Sequence, residues 1–176
     1  ILNESESKSI KWQQNQLSTE DNYYLKQLPF CYEFMLGDKF IRCAHASPRS
    51  VHERILPFHP LEKQETLFEN SELTTNICGE RIPDYYIYGD IHYACVKPIK
   101  GKGILVNVGS VGNPLDIPEA SYCILEQVGN SVGVQLVRVP YDKEAVLKIA
   151  KEVEMPGLQV YRKEIMDCIY RGKKEK

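Results

Sequence analysis

Twice in this chain an apolar run passes directly into a polar, glycine-punctuated loop that opens on a metal-capable side chain. The first is CAHASPR, Cys43 to Arg49, and the second is YGDIHYACVKPIKGKGILVNVGSVGNP, Tyr88 to Pro114. Such units suit an open α/β sheet, which meets its ligands at the carboxyl ends of its strands. His45 stands at the first junction. Asp90 and His92 stand at the second, as an i, i+2 pair that extended backbone aims to one side.

Length and charge narrow what such a sheet can serve. With 176 residues, 43% of them hydrophobic and 26% charged, the chain is sized for a single domain spanning 1–176 with a substantial core. A formal charge of -2 and a pI near 6.1 argue against general nucleic-acid binding, which rests on many basic side chains neutralising phosphates. The basic turn Lys97 to Lys102 and the tail Arg171 to Lys176 read as solvated charge. The six cysteines, Cys31, Cys43, Cys78, Cys95, Cys123 and Cys168, include no close pair. They read as reduced thiols, and a structural zinc site would want paired spacings that are missing. No apolar run approaches the ~20 residues that span a bilayer. The polar opening ILNESESKSI is no secretion signal, and the expected location is the cytoplasm.

Periodicity supplies the order of elements. Ser7 to Leu28 reads as two short helices broken near Ser18, where Ser18-Thr19-Glu20-Asp21 makes an N-cap and an acidic first turn. Phe30 to Leu36 and Lys39 to Ala44 are aromatic-rich strands joined by the hairpin signal Gly37-Asp38, which delivers His45 to the end of the second strand. Ser47 to Pro60 is a loop, Leu61 to Leu73 a helix with Leu67 and Phe68 facing inward, and Tyr85 to Tyr88 a short buried strand. Further strands are expected at Gly103 to Asn107, Ser121 to Val128 and Val132 to Val139, the last two joined by Gly129-Asn130. Helices over Asp142 to Glu154 and Leu158 to Tyr170 close the chain around Pro156-Gly157. The expected class is α/β (α+β), with largely antiparallel hairpins and helices covering the sheet.

A lone histidine is more often structural or exposed than a ligand, so His52 and His59, in a loop with no partner pattern, are set aside. His45, Asp90 and His92 are different because they cluster at two strand ends. Spacing alone leaves them open between ligands and turn residues. Gly109 and Gly112 are open between turn residues and points of close backbone approach to an anion.

The ordered set KWQQNQLSTEDNYYLKQLPF, HASPR, YGDIH and NVGSVGNP resembles the C-terminal half of a calcineurin-like metallophosphoesterase of the small bacterial and archaeal phosphodiesterase type. The family pattern is a helix ending in a "yL..LP" segment, then HGSP, GHTH or GHVH, and NPGSVG. The resemblance implies a four-layer αββα sandwich, here its C-terminal portion, with two mixed sheets face to face and a two-metal site at the strand ends. Carried over by position, His45 is a ligand of the second metal and His92 a ligand of the first. Asp90 takes the place of the first histidine of GHTH, and a carboxylate there makes the site harder and less zinc-like. NVGS for NPGS loses only a rigid turn residue.

The family's D-x-H, GD-x-x-D and GNHD motifs are not in the 176 residues, so the chain is expected to be the C-terminal part of a longer protein. The implied cofactors are two divalent ions, Mn or Fe favoured, with Zn, Ni or Mg also open. The implied activity of the intact protein is hydrolysis of phosphate esters, as a phosphodiesterase or phosphatase. Expected partners are a phosphate-ester small molecule or a nucleotide, with no membrane, no strong nucleic-acid signal and oligomerisation open. Arg49 is a weak candidate for a bidentate contact to phosphate, its competing reading being a surface ion pair. The alternative from another class is a non-catalytic interaction scaffold on the same fold, as in the retromer scaffold subunit, with a degenerate metal site.

Overall fold

The structure, a computed structural model, describes residues 4–170; the basic tail Arg171 to Lys176 lies outside the described residues. The chain divides into two compact units, one of residues 30–140 and one that brings together the segments on either side.

The flanking unit is helical, and its helix boundaries follow local chemistry. Helices α1 (Glu4–Gln16) and α2 (Thr19–Gln27) are separated by Ser18. Ser18 Oγ accepts from Asp21 N–H at 3.0 Å while Asp21 Oδ2 accepts from Ser18 N–H at 2.9 Å, a reciprocal capping box. Helices α4 (Lys143–Glu152) and α5 (Leu158–Asp167) follow the strands. Asp142 caps α4 by accepting from Ala145 N–H at 2.9 Å, and Gly157, at φ 74°, supplies the left-handed residue before α5. Trp12 donates its indole N–H to Val153 O at 3.1 Å, which fastens α1 to the C-terminal end of α4.

The central unit holds two sheets. Strands β1 (Cys31–Leu36), β2 (Lys39–Ala44), β3 (Tyr85–Tyr88), β4 (Cys95–Ile99) and β5 (Gly103–Asn107) form one sheet in the order β1-β2-β3-β5-β4. Its interior is parallel: β2 with β3 and β3 with β5. Only the edges, β1 on β2 and β4 on β5, are antiparallel, which corrects the expectation of largely antiparallel hairpins for this sheet. The second sheet is the hairpin β6 (Ala120–Val128) and β7 (Ser131–Val139), closed at Gly129, whose φ is 60°. Strand β4 stands outside the strands expected from the sequence. Its alternation of Val96, Lys97 and Pro98 looks like a turn, and the proline is tolerated because β4 is an edge.

Side-chain alternation divides the core between the two faces of the five-stranded sheet. Tyr85, Ile87, Ile41 and Val106 point to one face and pack with Val132, Val134, Leu136, Cys123 and Leu125 of the hairpin. The two sheets therefore lie face to face. Tyr86, Tyr88 and Leu105 point to the other face and pack against Ile55, Leu67, Phe68 and Ile91. Leu67 and Phe68 are buried as expected, although the expected helix is shorter: α3 (Leu61–Glu65) gives way to a 3-10 turn at Thr66–Phe68.

That second face also carries a buried ion pair. Arg42, fully enclosed, donates from Nε to Glu33 Oε1 at 2.5 Å, from Nη1 to Glu69 O at 3.0 Å and from Nη2 to Asn70 Oδ1 at 2.6 Å. Glu33 Oε2 accepts from Thr75 Oγ1 at 2.5 Å and from Ile77 N–H at 3.0 Å. Burial pushes the Glu33 carboxyl up, but the bonds from Thr75, Ile77 and Arg42 together outweigh it and hold the group below the ordinary glutamate value. The network fastens residues 69–77 to the sheet without an unpaired buried charge.

Candidate functional site

Three parallel strands end together. Ala44 pairs with Tyr88 and Tyr88 with Asn107, so the first residues past β2, β3 and β5 emerge along one edge of the sheet. Backbone hydrogen bonds continue just beyond the strands: Gly89 N–H donates to His45 O at 3.0 Å and Val108 N–H to Tyr88 O at 3.0 Å. Asn107, wholly buried, then ties the loops to each other. Its Nδ2 donates to Gly89 O at 2.6 Å and its Oδ1 accepts from Gly109 N–H at 3.0 Å.

On this edge the β3 loop has an uncommon backbone. Asp90 and His92 adopt φ of 58° and 56°, in the left-handed region that Asp and His enter more readily than most side chains. Such positions cluster at functional sites because the surrounding structure must compel them. Gly109, at φ 75°, has no room for a side chain. A Cβ there would lie 2.9 Å from Ser121 Cβ and 3.0 Å from Ala94 Cβ. The glycine of NVGS is therefore required by both conformation and close packing, which supplies the turn reading left open by the sequence.

His45 Nε2 and Asp90 Oδ1 lie 3.8 Å apart, with His45 exposed and the Asp90 side chain only 10% accessible. A divalent ion with bonds of ~2.1 Å reaches two donors separated by that span, so the pair fits part of one coordination shell. His92 is set differently. Its Nδ1 is 2.7 Å from Asn113 O, an arrangement that places a proton on Nδ1 and leaves Nε2 as the ring nitrogen turned away from that bond. Ligating histidines are oriented in this way, by a carbonyl on the other ring nitrogen. Among the described residues, however, no three His, Cys, Asp or Glu side chains gather as a metal-holding group.

Two arginines distinguish the observed site from the expected one. Arg49 donates from Nε to Glu53 Oε2 at 3.0 Å, from Nη1 to Thr66 O and Glu69 Oε2, both at 2.9 Å, and from Nη2 to Thr66 Oγ1 at 2.8 Å. It acts as a clamp between its own loop and the 3-10 turn. Arg54 instead reaches the site. Its Nε donates to Asp90 Oδ2 and its Nη2 to Asp90 Oδ1, each at 3.1 Å, a two-pronged grip on the carboxylate. Sequence reading missed Arg54 because it lies 36 residues from Asp90 in a loop without periodicity.

No family model matches the chain, and no curated protein matches it by sequence. Solved structures do. A hypothetical protein, PH1004, from Pyrococcus horikoshii OT3 aligns over 99% of this chain and 63% of its own, with a TM-score of 0.70 and 21% identity. A predicted phosphoesterase from Streptococcus pneumoniae TIGR4 aligns over 72% of this chain and 64% of its own, at a TM-score of 0.45 and 20% identity. Vps29 from Entamoeba histolytica, complexed with zinc, aligns over 64% and 62%, at 0.39 and 20%. The chain thus spans less than two thirds of each of these relatives. At these identities the likeness is one of fold, and the chain has the mixed α/β fold that its motifs anticipate, shared with the Pyrococcus horikoshii protein.

Proposed function

We propose that the intact protein hydrolyses phosphate esters with divalent metal, as a calcineurin-like phosphodiesterase or phosphatase, and that this chain carries the C-terminal share of the site. The supporting observation is the meeting of His45 and Asp90, donors 3.8 Å apart at the ends of adjacent parallel strands. His45 and Asp90 would hold one ion and His92, through Nε2, the other. Bound ions, Mn or Fe being favoured by mixed imidazole and carboxylate donors, supply Lewis-acid activation of the ester and of water.

The chain's own residues do the positioning. Asn107 sets the spacing of the β3 and β5 loops by bonding Gly89 O and Gly109 N–H. The Asn113 carbonyl fixes the tautomer and direction of His92. The proposed substrate is a phosphate-ester small molecule or a nucleotide, and His45 stands exposed at the site. The proposed setting is the cytoplasm; no helix among the described residues is long and apolar enough to cross a membrane.

A second reading, a protein-interaction scaffold with a degenerate site, is favoured by one specific observation. Arg54 occupies both Asp90 oxygens, which a ligand carboxylate needs for its ion. Metal-dependent hydrolysis of aryl phosphate mono- and diesters by the protein expressed at the full length of its gene separates the two. Loss of that hydrolysis in His92→Ala supports the enzyme. Absence of both metal binding and hydrolysis in the unaltered protein supports the scaffold.

A further inference from the structure

The Asp90 carboxylate is nearly enclosed, with 10% of its side chain accessible, and is held in left-handed backbone beside His45. An anion so placed needs a counter-charge, since an unpaired buried carboxylate is costly. Arg54 supplies it from the loop after β2, with Nε and Nη2 on the two carboxylate oxygens at 3.1 Å each. The guanidinium thus sits on the same oxygens that the reading under Proposed function assigns to an ion. Its own side chain is 45% accessible, so it can move into water once an ion takes over the neutralisation of Asp90.

The geometry points to Arg54 as a built-in competitor for the cation. It neutralises Asp90 when no ion is present, and a divalent ion enters the His45 and Asp90 pair only by displacing it. This inference rests on the metal reading and adds a residue that sets cation affinity without itself being a ligand. It also accounts for a chain that keeps metal-capable donors at its strand ends and yet presents a charge-balanced site. Arginine suits the role because its planar fork covers both oxygens at once, whereas lysine would offer a single point of contact.

The test is calorimetric titration of the protein expressed at the full length of its gene with Mn²⁺ alone, comparing wild type with Arg54→Met, Arg54→Lys and Asp90→Asn. Removing an exposed-side competitor of this kind should tighten Mn²⁺ binding on the order of tenfold in Arg54→Met. Arg54→Lys, which keeps the charge and loses the fork, should fall between the two. Asp90→Asn should bind weakest. A parallel readout is thermal: Mn²⁺ should raise the melting temperature of Arg54→Met more than that of wild type, because ligand stabilisation grows with affinity. Circular dichroism of each variant without metal establishes that it is folded.

If wild type binds Mn²⁺ and Arg54→Met binds it no more tightly, the competitor role is overturned and the metal reading stands. If Arg54→Lys binds as weakly as wild type, charge alone sets the competition and the part assigned to the two-pronged grip is overturned. If folded Arg54→Met and wild type both fail to bind Mn²⁺ at millimolar concentration, the competitor role and this chain's share in a metal site fall together.

Discussion

Removing the Glu33 carboxylate tests the interior of the central unit. Glu33→Ala deletes the acceptor of three hydrogen bonds, from Arg42 Nε, Thr75 Oγ1 and Ile77 N–H, and leaves the enclosed Arg42 guanidinium with the neutral acceptors Glu69 O and Asn70 Oδ1 and the Phe40 ring at 5.6 Å. Breaking a buried pair from one side costs about 3–5 kcal/mol, mostly as the penalty of the charge left behind. Against a total stability of ~5–15 kcal/mol that is a large share. In urea, with a slope of ~2 kcal/mol/M, the midpoint should fall by about 2 M with little change in slope.

Glu33→Leu combined with Arg42→Met should recover most of the loss, because no charge is then stranded. The pH dependence has a definite sign. The folded carboxyl lies below its ordinary 4.5, so its stabilisation is present above that value and is lost as pH falls through the folded value. The double variant should therefore lose less stability than wild type on acidification. A Glu33→Ala cost below ~1 kcal/mol, or a double variant as unstable as the single, would refute the stranded-charge argument.

Two further outcomes follow from packing and burial. In Gly103→Ala the new Cβ would collide with Asp84 O, a carbonyl already held by Ile104 N–H at 2.8 Å, and would lie 2.8 Å from Phe68 Cε1. Overpacking against fixed backbone costs ~1–3 kcal/mol, which lowers the melting temperature by roughly 4–8 °C for a mid-range cost in a chain of this size; an unchanged melting curve would contradict the close approach. Burial pushes the Cys43 thiol up to about 11, with Cys123 and Cys31 adding to the effect, so at pH 8 roughly 0.1% is thiolate. Mass spectrometry after brief alkylation of the folded protein should show Cys43 modified well after Cys78, and equal rates would contradict its burial.

Much of the fold was legible because local chemistry and tertiary structure agree. The Ser18 and Asp21 cap, the Gly37 and Gly129 turns and the short buried strand Tyr85 to Tyr88 are each set by local chemistry, and each occurs. The parallel order of β2, β3 and β5 was not legible, since strand sequence does not state which strands become neighbours across intervening loops. Strand β4 was hidden by Pro98 and the surrounding lysines, tolerable only on an edge.

At the site, the loop positions of His45, Asp90 and His92 could be read from the strand-to-loop transitions. Their surroundings could not. Arg54 reaches Asp90 across 36 residues, and nothing in the spacing of Ser47 to Pro60 marks it. Asn107 was visible as part of NVGS, but its grip on both Gly89 and Gly109 depends on β3 and β5 being adjacent, which only the sheet order reveals. Arg49 carried the stronger sequence signal by its closeness to His45, yet its donors go to Glu53, Thr66 and Glu69.

Hydrolysis of an aryl phosphodiester and an aryl phosphate monoester with added Mn²⁺ tests the central claim most directly, on the protein expressed at the full length of its gene beside its His92→Ala variant. The account predicts Mn²⁺-dependent turnover by the unaltered protein and its loss, by at least about a hundredfold, in the folded variant. Equal turnover by the two proteins, or hydrolysis that survives exhaustive chelation, would contradict a metal site built on these strand ends.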